Sequence, residues 1–393
     1  MRIISLILLV LFLLFSLTGC WNAREINELA FVLSIALDKT NNGFKVTAQV
    51  AQPETYSKTP SGGTTSSGKE KPFWIISSTG KTIFEAVRNM AATAPRRILW
   101  SHIKVIIIGE KLARSNILEI FDFFSRNPEL RLRTWIAVTP GEAGKILAVV
   151  PIMEKDPSQN IEKIIDKTNL TGKAYGIMLK NFLEDYLDPY VNPAASRIVL
   201  TTEESKPVVK LEGASIFGEN KLVGWLDGNK TRGLLWIKNK ISGSVRVVNC
   251  PYDGLPVTLE IKKGKTNIQS YIDNGQPYFI IKVSASADLT EKSCLTEFTN
   301  PKALQSLEKA LALAIHNDIQ STVTAAQDFN VDFLDFSSTL HRQHKNEWPQ
   351  LSANWPQLFK NAEVAIEVKA EIPRVSLLAK SVSPIKYPAE NPR

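Results

Sequence analysis

The sequence has few of the side chains that carry out acid–base, redox or metal chemistry. Its 393 residues include four histidines and three cysteines, too few for a disulfide-built scaffold or a multi-histidine metal centre. It contains neither a G-x-S-x-G nucleophile elbow nor an H-E-x-x-H zinc motif. The carboxylates are scattered among the lysines, as on a solvated surface. No group of residues in the sequence argues for catalysis, and no metal or cofactor site is predicted.

The histidines fit structural positions better than functional ones. His341 and His344 form an H-x-x-H pair, but no cysteine or acidic cluster completes a ligand set around them. We therefore expect two surface histidines. His102 stands beside an apolar run and is predicted to be a packed core histidine.

The N terminus lacks a hydrophobic run long enough to cross a membrane. Its apolar run covers residues 3–17, shorter than the roughly 20 residues of a spanning helix and typical of a signal-peptide core. Leu17, Thr18, Gly19 and Cys20 follow and match the L-[ST]-[GA]-C lipobox of bacterial lipoproteins. We expect cleavage between Gly19 and Cys20 and a diacylglyceryl group on the Cys20 sulfur, because a thiol is the required nucleophile.

Lipidation predicts a location outside the cytoplasm. Two acyl chains give lasting attachment to a membrane, whereas a single chain does not. The net charge of +8 and the pI near 9.2 would suggest nucleic acid as the partner of a cytoplasmic protein. For an exported, anchored chain the anionic membrane surface is the simpler partner, and no nucleic-acid partner is predicted.

Two cysteines remain once Cys20 carries lipid. Cys250 and Cys294 could pair, closing a loop of about 44 residues and adding roughly 4 kcal/mol of stability in the chain-entropy model. They could equally be two buried free thiols. Spacing alone does not decide between these alternatives.

Three short motifs invite a functional interpretation. Residues 63–69 resemble a phosphate-binding loop, but Glu70 replaces the hydroxyl that should hold Mg²⁺ and no strand leads in, so a linker is predicted. WPQL begins at Trp348 and again at Trp355, which favours two helix starts with core tryptophans over a sugar-stacking surface. The basic stretch at residues 262–265 is predicted to be a charged hairpin tip, or else a contact with lipid headgroups.

The order of apolar patterns predicts an α/β and α+β protein with three unequal domains of mixed sheets and flanking helices, after the signal peptide. The predicted divisions are the signal peptide 1–19, an N-terminal α/β domain 20–155 with a flexible loop 53–72, a middle α+β domain 156–242, a C-terminal α+β domain 243–376 and a basic tail 377–393.

Several local patterns are specific enough to test. Residues 41–43 (Asn-Asn-Gly) predict a β-hairpin, and residues 103–108 (IKVIII) a central strand. Ile83, Phe84, Val87, Met90, Ala91 and Ala94 are placed on one helix face at helical spacing. Separate strands are predicted at 257–262 and 267–272. Asn300 followed by Pro301 predicts a capped helix start.

The mature chain resembles the Ger(x)C family, the lipoprotein C subunits of nutrient germinant receptors in endospore-forming bacteria. The resemblance rests on CWNAREI at 20–26, SHIKVIIIGEKLAR at 101–114, FDFFSRNPELR at 121–131 and GASIFGENKLVGWLDGNKTRGLLW at 213–236. One departure is clear: where the family tends to show D-x-L-G-F-G, this chain has DFLDFS at 332–337, which puts the local turn geometry in doubt.

The resemblance implies three α/β-type domains tethered to the outer face of the spore inner membrane. It implies partnership with two membrane-embedded proteins, a large A subunit and a transporter-like B subunit. It implies no catalysis and no cofactor, apart from the covalent diacylglycerol on Cys20. The family offers no motif for germinant binding in this subunit.

Two sets of residues are candidate partner contacts. Beside the lipid lie Trp21, Arg24, Glu25 and Ile26. In the middle part lie Trp225, Asp227 and Arg232, in a Gly-rich charged turn flanked by tryptophans, and aromatic and arginine side chains are enriched in interface cores. Core packing around a turn is an equally good interpretation of the second set.

A different class of protein also fits part of the sequence. A solute-binding lipoprotein of a nutrient transporter would share the anchor and the export. That hypothesis predicts two similar doubly wound lobes with a ligand cleft between them, whereas the element order here indicates three unequal parts.

Overall fold

Two sheets and the helices packed on them make up the structure. The computed structural model describes residues 3–4, 28–52, 71–127 and 129–374. Nearly all of the predicted signal peptide, most of the predicted loop at 53–72 and the predicted tail at 377–393 lie outside these residues. The strands are β1 (Leu29–Thr40), β2 (Gly43–Ala51), β3 (Phe73–Gly80), β4 (Arg97–Leu99), β5 (Val105–Gly109), β6 (Trp135–Thr139), β7 (Ala194–Glu203), β8 (Lys206–Gly218), β9 (Lys221–Leu226), β10 (Val245–Asn249), β11 (Pro256–Asp273), β12 (Gln276–Lys292) and β13 (Glu363–Arg374).

The helices fall between these strands, with a 3₁₀ turn at Met90–Ala92. They are α1 (Ile83–Asn89), α2 (Glu110–Ala113), α3 (Leu118–Arg126), α4 (Ala143–Leu147), α5 (Pro157–Asp166), α6 (Thr168–Thr171), α7 (Leu179–Leu187), α8 (Gly228–Ile237), α9 (Pro301–Phe329), α10 (Phe336–Gln343), α11 (Trp348–Ser352) and α12 (Trp355–Lys360). Mixed sheets with flanking helices confirm the predicted fold class.

The larger sheet has a parallel centre and antiparallel edges. Among the described residues it contains nine strands in the order β3-β2-β1-β5-β6-β7-β8-β9, with β4 paired to β1 beside this path. The pairs β1–β5, β5–β6 and β6–β7 are parallel. Every residue of β5 is buried, because parallel strands are covered on both faces. The predicted central strand at 103–108 is confirmed, and so is the β1–β2 hairpin, in which Thr40 faces Gly43.

The larger sheet continues across the predicted boundary near residue 155. β6 and β7 lie on either side of that boundary and pair directly, with Ala137 opposite Ser196. Segments 20–155 and 156–242 therefore contribute strands to one sheet. The three-domain division stays a prediction, and this sheet is the element that its first two parts share.

The smaller sheet contains longer strands than the sequence predicts. Its order is β10-β11-β12-β13, and β11 runs from Pro256 to Asp273 without a break. The predicted hairpin tip at 262–265 is therefore wrong. The turn instead lies at Asn274 and Gly275, whose φ angles are 49° and 80°. An Asn-Gly pair adopts this left-handed conformation readily in a two-residue hairpin.

Gly264 explains why the lysine-rich stretch belongs to a strand. A Cβ at this position would lie 2.5 Å from the ring of Trp236, so the backbone of β11 packs directly on that buried indole. A bulge between Ile261 and Lys263 leaves both Lys262 and Lys263 exposed, since a bulge redirects side chains. The lysines thus line the outer surface of a strand and do not mark a turn.

The C-terminal helices follow the predicted start signals. The Asn300 side chain accepts a hydrogen bond from the Lys302 amide, and Pro301 is the first helical residue of α9, which confirms that prediction. α11 and α12 begin at the two WPQL motifs. Trp348 is buried and Trp355 is half-buried against the core, with 5.6 Å between their ring centroids. The core interpretation of the repeated motif is confirmed.

The histidines lie in surroundings that differ from those predicted. His102 is exposed and lies edge-on to the Phe31 ring at 5.1 Å, so the predicted packed core histidine is wrong. A position just before β5 lies at the end of the sheet, where a side chain can turn out to water. His341 and His344 are half-buried. The His344 Nε2 lies 2.9 Å from the carbonyl oxygen of Ser270, and His341 packs beside Tyr190.

Candidate functional site: a groove beside the first strand

The described chain enters the fold shortly after the predicted anchor. β1 begins at Leu29, nine residues after Cys20, and nine extended residues span at most about 30 Å. No helix among the described residues is long and apolar enough to cross a membrane. Outside the described residues lie the predicted anchor and its neighbouring contacts, Gly19, Cys20, Trp21, Arg24, Glu25 and Ile26. Their roles stay predictions.

A groove of about 1370 Å³ opens beside this entry point. Side chains of α1, α3 and β4 line it, together with Trp100. β4 pairs in parallel with the first residues of β1, with Leu29 opposite Arg97 and Phe31 opposite Leu99. The groove therefore lies where the chain arrives from its predicted membrane anchor.

Two large apolar side chains stand exposed in the groove. Phe84 of α1 is 53% exposed and Leu118 of α3 is 50% exposed. Ile83 and Val87 fill the core beneath α1. Phe84 is grouped with Ile83 and Val87 in the sequence pattern but does not share their burial, because adjacent helical residues point about 100° apart. The signal was present in the sequence, since the apolar residues of α1 cover more than one helix face.

Charges of both signs surround these apolar side chains. Arg126 pairs with Asp122 at 2.7 Å, and Arg97 lies 3.6 Å from Glu129. These pairs are largely exposed, so each contributes little to stability. Arg88 stacks over the Phe84 ring at 4.9 Å. An apolar groove with a mixed-charge rim is suited to binding an amphipathic segment.

The predicted contacts in the middle part occupy a different place. Trp225 is half-buried on β9, and the Arg197 guanidinium lies 5.2 Å over its ring. Asp227 is exposed and caps α8, accepting hydrogen bonds from the amides of Asn229 and Lys230. Both side chains reach the surface, so a partner contact there stays a prediction.

Arg232 lies in the interior. Its side chain is 5% exposed, and its guanidinium lies 3.6 Å from the Asp318 carboxylate. Arg246 reaches the other oxygen of that carboxylate at 3.3 Å. Burial raises the pKa of Asp318 and lowers the pKa of Arg232, while the attraction between them opposes both shifts. Arg232 thus joins α8 to α9 and offers little charge at the surface for a partner.

The departure from the family motif at residues 332–337 leaves the turn intact. Buried Asp332 accepts hydrogen bonds from the amides of Leu334, Phe336 and Ser337. Asp335, at a position where the family tends to have glycine, has a φ of 62°. Aspartate tolerates this left-handed conformation better than most residues, and the Lys238 amine lies 2.5 Å from its carboxylate.

Two family models together match most of the chain. A family model described as "Spore germination protein N-terminal domain" matches residues 22–200. A second, described as "Spore germination B3/ GerAC like, C-terminal", matches residues 212–376. The chain belongs to the Ger(x)C family.

Two of the similar proteins match over nearly their full length. Spore germination protein B3 of Bacillus subtilis (strain 168) is 30% identical, over 95% of this chain and 98% of the relative. Spore germination protein KC of the same organism is 25% identical, over 93% and 94%. The crystal structure of the GerBC protein matches with a TM-score of 0.57 at 25% identity, covering 86% of this chain and 97% of that one.

Proposed function

We propose that this chain is a lipid-anchored, non-catalytic subunit of a nutrient germinant receptor at the spore inner membrane. Cys20 holds it to the extracytoplasmic face, and it assembles with membrane-embedded A and B subunits. The observation that carries the proposal is the similarity to spore germination proteins over nearly the entire chain. The lipobox before residue 20 and the likeness to GerBC support it.

The groove supplies the surface for this assembly. It lies within the reach of the short segment between Cys20 and β1, so it stays close to the membrane. Its exposed Phe84 and Leu118 would lose contact with water if an apolar segment of a membrane-embedded subunit lay across them. The charge pairs on the rim then select a segment of mixed charge over a purely anionic lipid surface.

A solute-binding lipoprotein is less well supported. Such a protein would have two similar lobes, whereas the two sheets here differ in size and in the direction of their central strands. Calorimetry with amino acids and sugars separates the alternatives. One-to-one binding by the isolated protein would favour the solute-binding class, and no heat of binding is expected from the receptor subunit alone.

A pull-down from detergent-solubilised spore membranes tests the assembly. The tagged chain should recover two proteins with several membrane spans. The matched Cys20→Ala variant should be lost from the membrane fraction, because it cannot receive lipid. Recovery of the chain alone, or together with an ATP-driven transporter, would contradict the proposal.

The second predicted surface has its own test. Trp225→Ala removes the half-buried indole on β9, and Asp227→Asn keeps a capping side chain while removing its charge. Assembly and germination that are unchanged in both variants would exclude this surface from the interface. Reduced co-purification in either variant would add it to the groove.

A further inference from the structure

The two remaining cysteines meet at one end of the smaller sheet. Cys250 and Cys294 are each 2% exposed, and their sulfur atoms lie within 4.8 Å of each other. They are 44 positions apart in the sequence, so the fold and not local chain geometry brings them together. Both are free thiols in this structure.

The strand ends hold the two thiols in place. Cys250 directly follows β10 and opens a tight turn, in which its amide donates to the Leu255 carbonyl at 2.7 Å. Cys294 lies two residues beyond β12, after Ser293 has donated its amide to the Pro256 carbonyl at 3.0 Å. The segments that follow β10 and β12 therefore converge over the first residue of β11, the strand that lies between β10 and β12.

We infer that Cys250 and Cys294 form a disulfide bond in the mature protein. The inference rests on the proposed function, because a lasting disulfide requires the oxidising environment outside the cytoplasm. The S–S bond is about 2.05 Å long, so each sulfur has to move by at most about 1.5 Å. Side-chain rotation can supply such a movement while the strand ends keep their hydrogen bonds.

The reaction balances with an exported thiol oxidant that carries a disulfide. The two S–H bonds of Cys250 and Cys294 break and one S–S bond forms between their sulfurs. Two electrons and two protons pass to the oxidant, whose disulfide becomes a dithiol. Cys20 takes no part in this reaction, because its sulfur is committed to a thioether.

The same sulfurs could instead bind a metal ion, but the surroundings favour the disulfide. Among the cysteines, histidines and carboxylates of the described residues, Asp253 offers the one further ligand within 4.8 Å, whereas a structural zinc site has four. The Asp253 carboxylate already accepts the Leu255 amide at 3.1 Å. The Cys250 thiol donates to the Thr296 hydroxyl at 3.5 Å.

The bond would fasten β10 to the end of β12 across β11. Its ring encloses the entire β11–β12 hairpin, the longest pair of strands described. A covalent link of this kind lowers the conformational entropy of the unfolded chain and so stabilises the folded state. Reduction should lower the unfolding temperature of the purified chain by on the order of 5 °C.

Alkylation of the full-length protein tests the inference. The lipidated protein is taken from spore membranes and denatured in parallel samples with and without a chelator. Each sample is then treated with iodoacetamide, with or without prior reduction. Without reductant we expect no alkylation of either cysteine and one peptide pair linked through Cys250 and Cys294. With reductant we expect both to be alkylated. In the matched Cys250→Ser variant, Cys294 should be alkylated without reductant.

Two outcomes overturn the inference and identify the reason. If both thiols react without reductant in the spore protein, that protein is next exposed to oxidised glutathione in detergent. Failure to form the bond there refutes the pairing itself. Formation there shows that the sulfurs can pair and that the chain does not meet an oxidising compartment, which contradicts the proposed location. Protection that a chelator alone removes would establish a metal site in place of the disulfide.

Discussion

Ion pairs occupy two contrasting places in this molecule. On the rim of the groove, the side chains of Arg126 and Asp122 are 78% and 52% exposed. Between α8 and α9, those of Arg232 and Asp318 are 5% and 4% exposed. Water screens the first pair and is excluded from the second. The same chemical groups therefore form a surface that a partner can rearrange in one place, and a fixed joint between two segments in the other.

The exposed ion pairs of the rim and the buried ion pairs of the joint should therefore have different roles, the first in assembly and the second in stability. A rim pair can exchange its partner for a group on another protein at little cost, because it contributes little to the free energy of folding. The buried cluster cannot exchange partners, since each unpaired charge would be left without water. Substitutions at the rim should change binding, and substitutions at the joint should change folding.

The largest effect should come from removing the shared carboxylate of the joint. Asp318→Ala removes both oxygens beside the guanidinium groups of Arg232 and Arg246 and leaves a cavity between α8 and α9, and we expect the free energy of unfolding to fall by about 3–5 kcal/mol. Urea unfolding followed by circular dichroism measures this change. A loss below about 1 kcal/mol would mean that the arginines find other partners or water, and the contrast with the rim would fail.

The pH dependence of the same group sharpens the comparison. Burial raises the pKa of Asp318 in the folded chain, whereas the unfolded carboxyl titrates near 3.9. A raised pKa in the folded state means that protonation of Asp318 stabilises the fold. This stabilisation is fully present below the pKa of the unfolded carboxyl and is lost as the pH rises through the pKa of the folded chain. The unfolding free energy of the wild-type chain relative to Asp318→Asn should therefore fall as the pH rises from about 4. Urea titrations at several pH values measure it, and a constant or rising difference would contradict the assigned direction.

An intermediate case is the pair of Lys238 and Asp335, whose side chains are 11% and 33% exposed. Asp335→Gly and Asp335→Ala both remove the partner of Lys238. Of the two replacements, only alanine has a Cβ, and a Cβ is strained at the φ of 62° that residue 335 adopts. We expect the alanine variant to be less stable than the glycine variant by about 1 kcal/mol. Equal unfolding free energies would show that the turn does not require the left-handed conformation.

The smallest effect should come from the rim. Arg126→Ala breaks an exposed i,i+4 pair, and we expect the unfolding free energy to change by less than about 0.5 kcal/mol. Arg232→Ala is the matched variant at the joint, and its loss should be several times larger. Similar losses in the two variants, measured under the same urea conditions, would remove the distinction between rim and joint.

The sequence predicts those parts of the fold that depend on local patterns. The continuous apolar run of β5, the Asn-Gly turn after β1 and the cap at Asn300 each act within a few residues, and each is found in the structure. The WPQL motifs begin helices because proline fits the first turn of a helix. Family membership was likewise accessible, because four motifs occur in the expected order.

The missed features depend on contacts between distant segments. Residues 262–265 have the composition of a turn, and Trp236, 28 positions before Gly264, is what fits them into a strand. The burial of Arg232 depends on Asp318, 86 positions away, which no local pattern reveals. Phe84 stays exposed because it lies on the side of α1 that borders the groove and not on the side that faces the core. Periodicity identifies the core face of a helix, but not which extra apolar side chain is left at the surface.

The central claim is that the groove beside β1 is the surface through which the anchored chain meets a membrane-embedded subunit. The most direct measurement is the spore-membrane pull-down repeated with Phe84→Glu and Leu118→Glu. Both substitutions lie in the first turn of a helix, where glutamate is tolerated, so the fold should persist. Leu313→Glu is the control, at an exposed leucine on α9 whose side chain is 61% accessible to solvent. We expect at least a tenfold loss of the co-purifying subunits for the groove variants and none for the control. Undiminished recovery with both groove variants would contradict it.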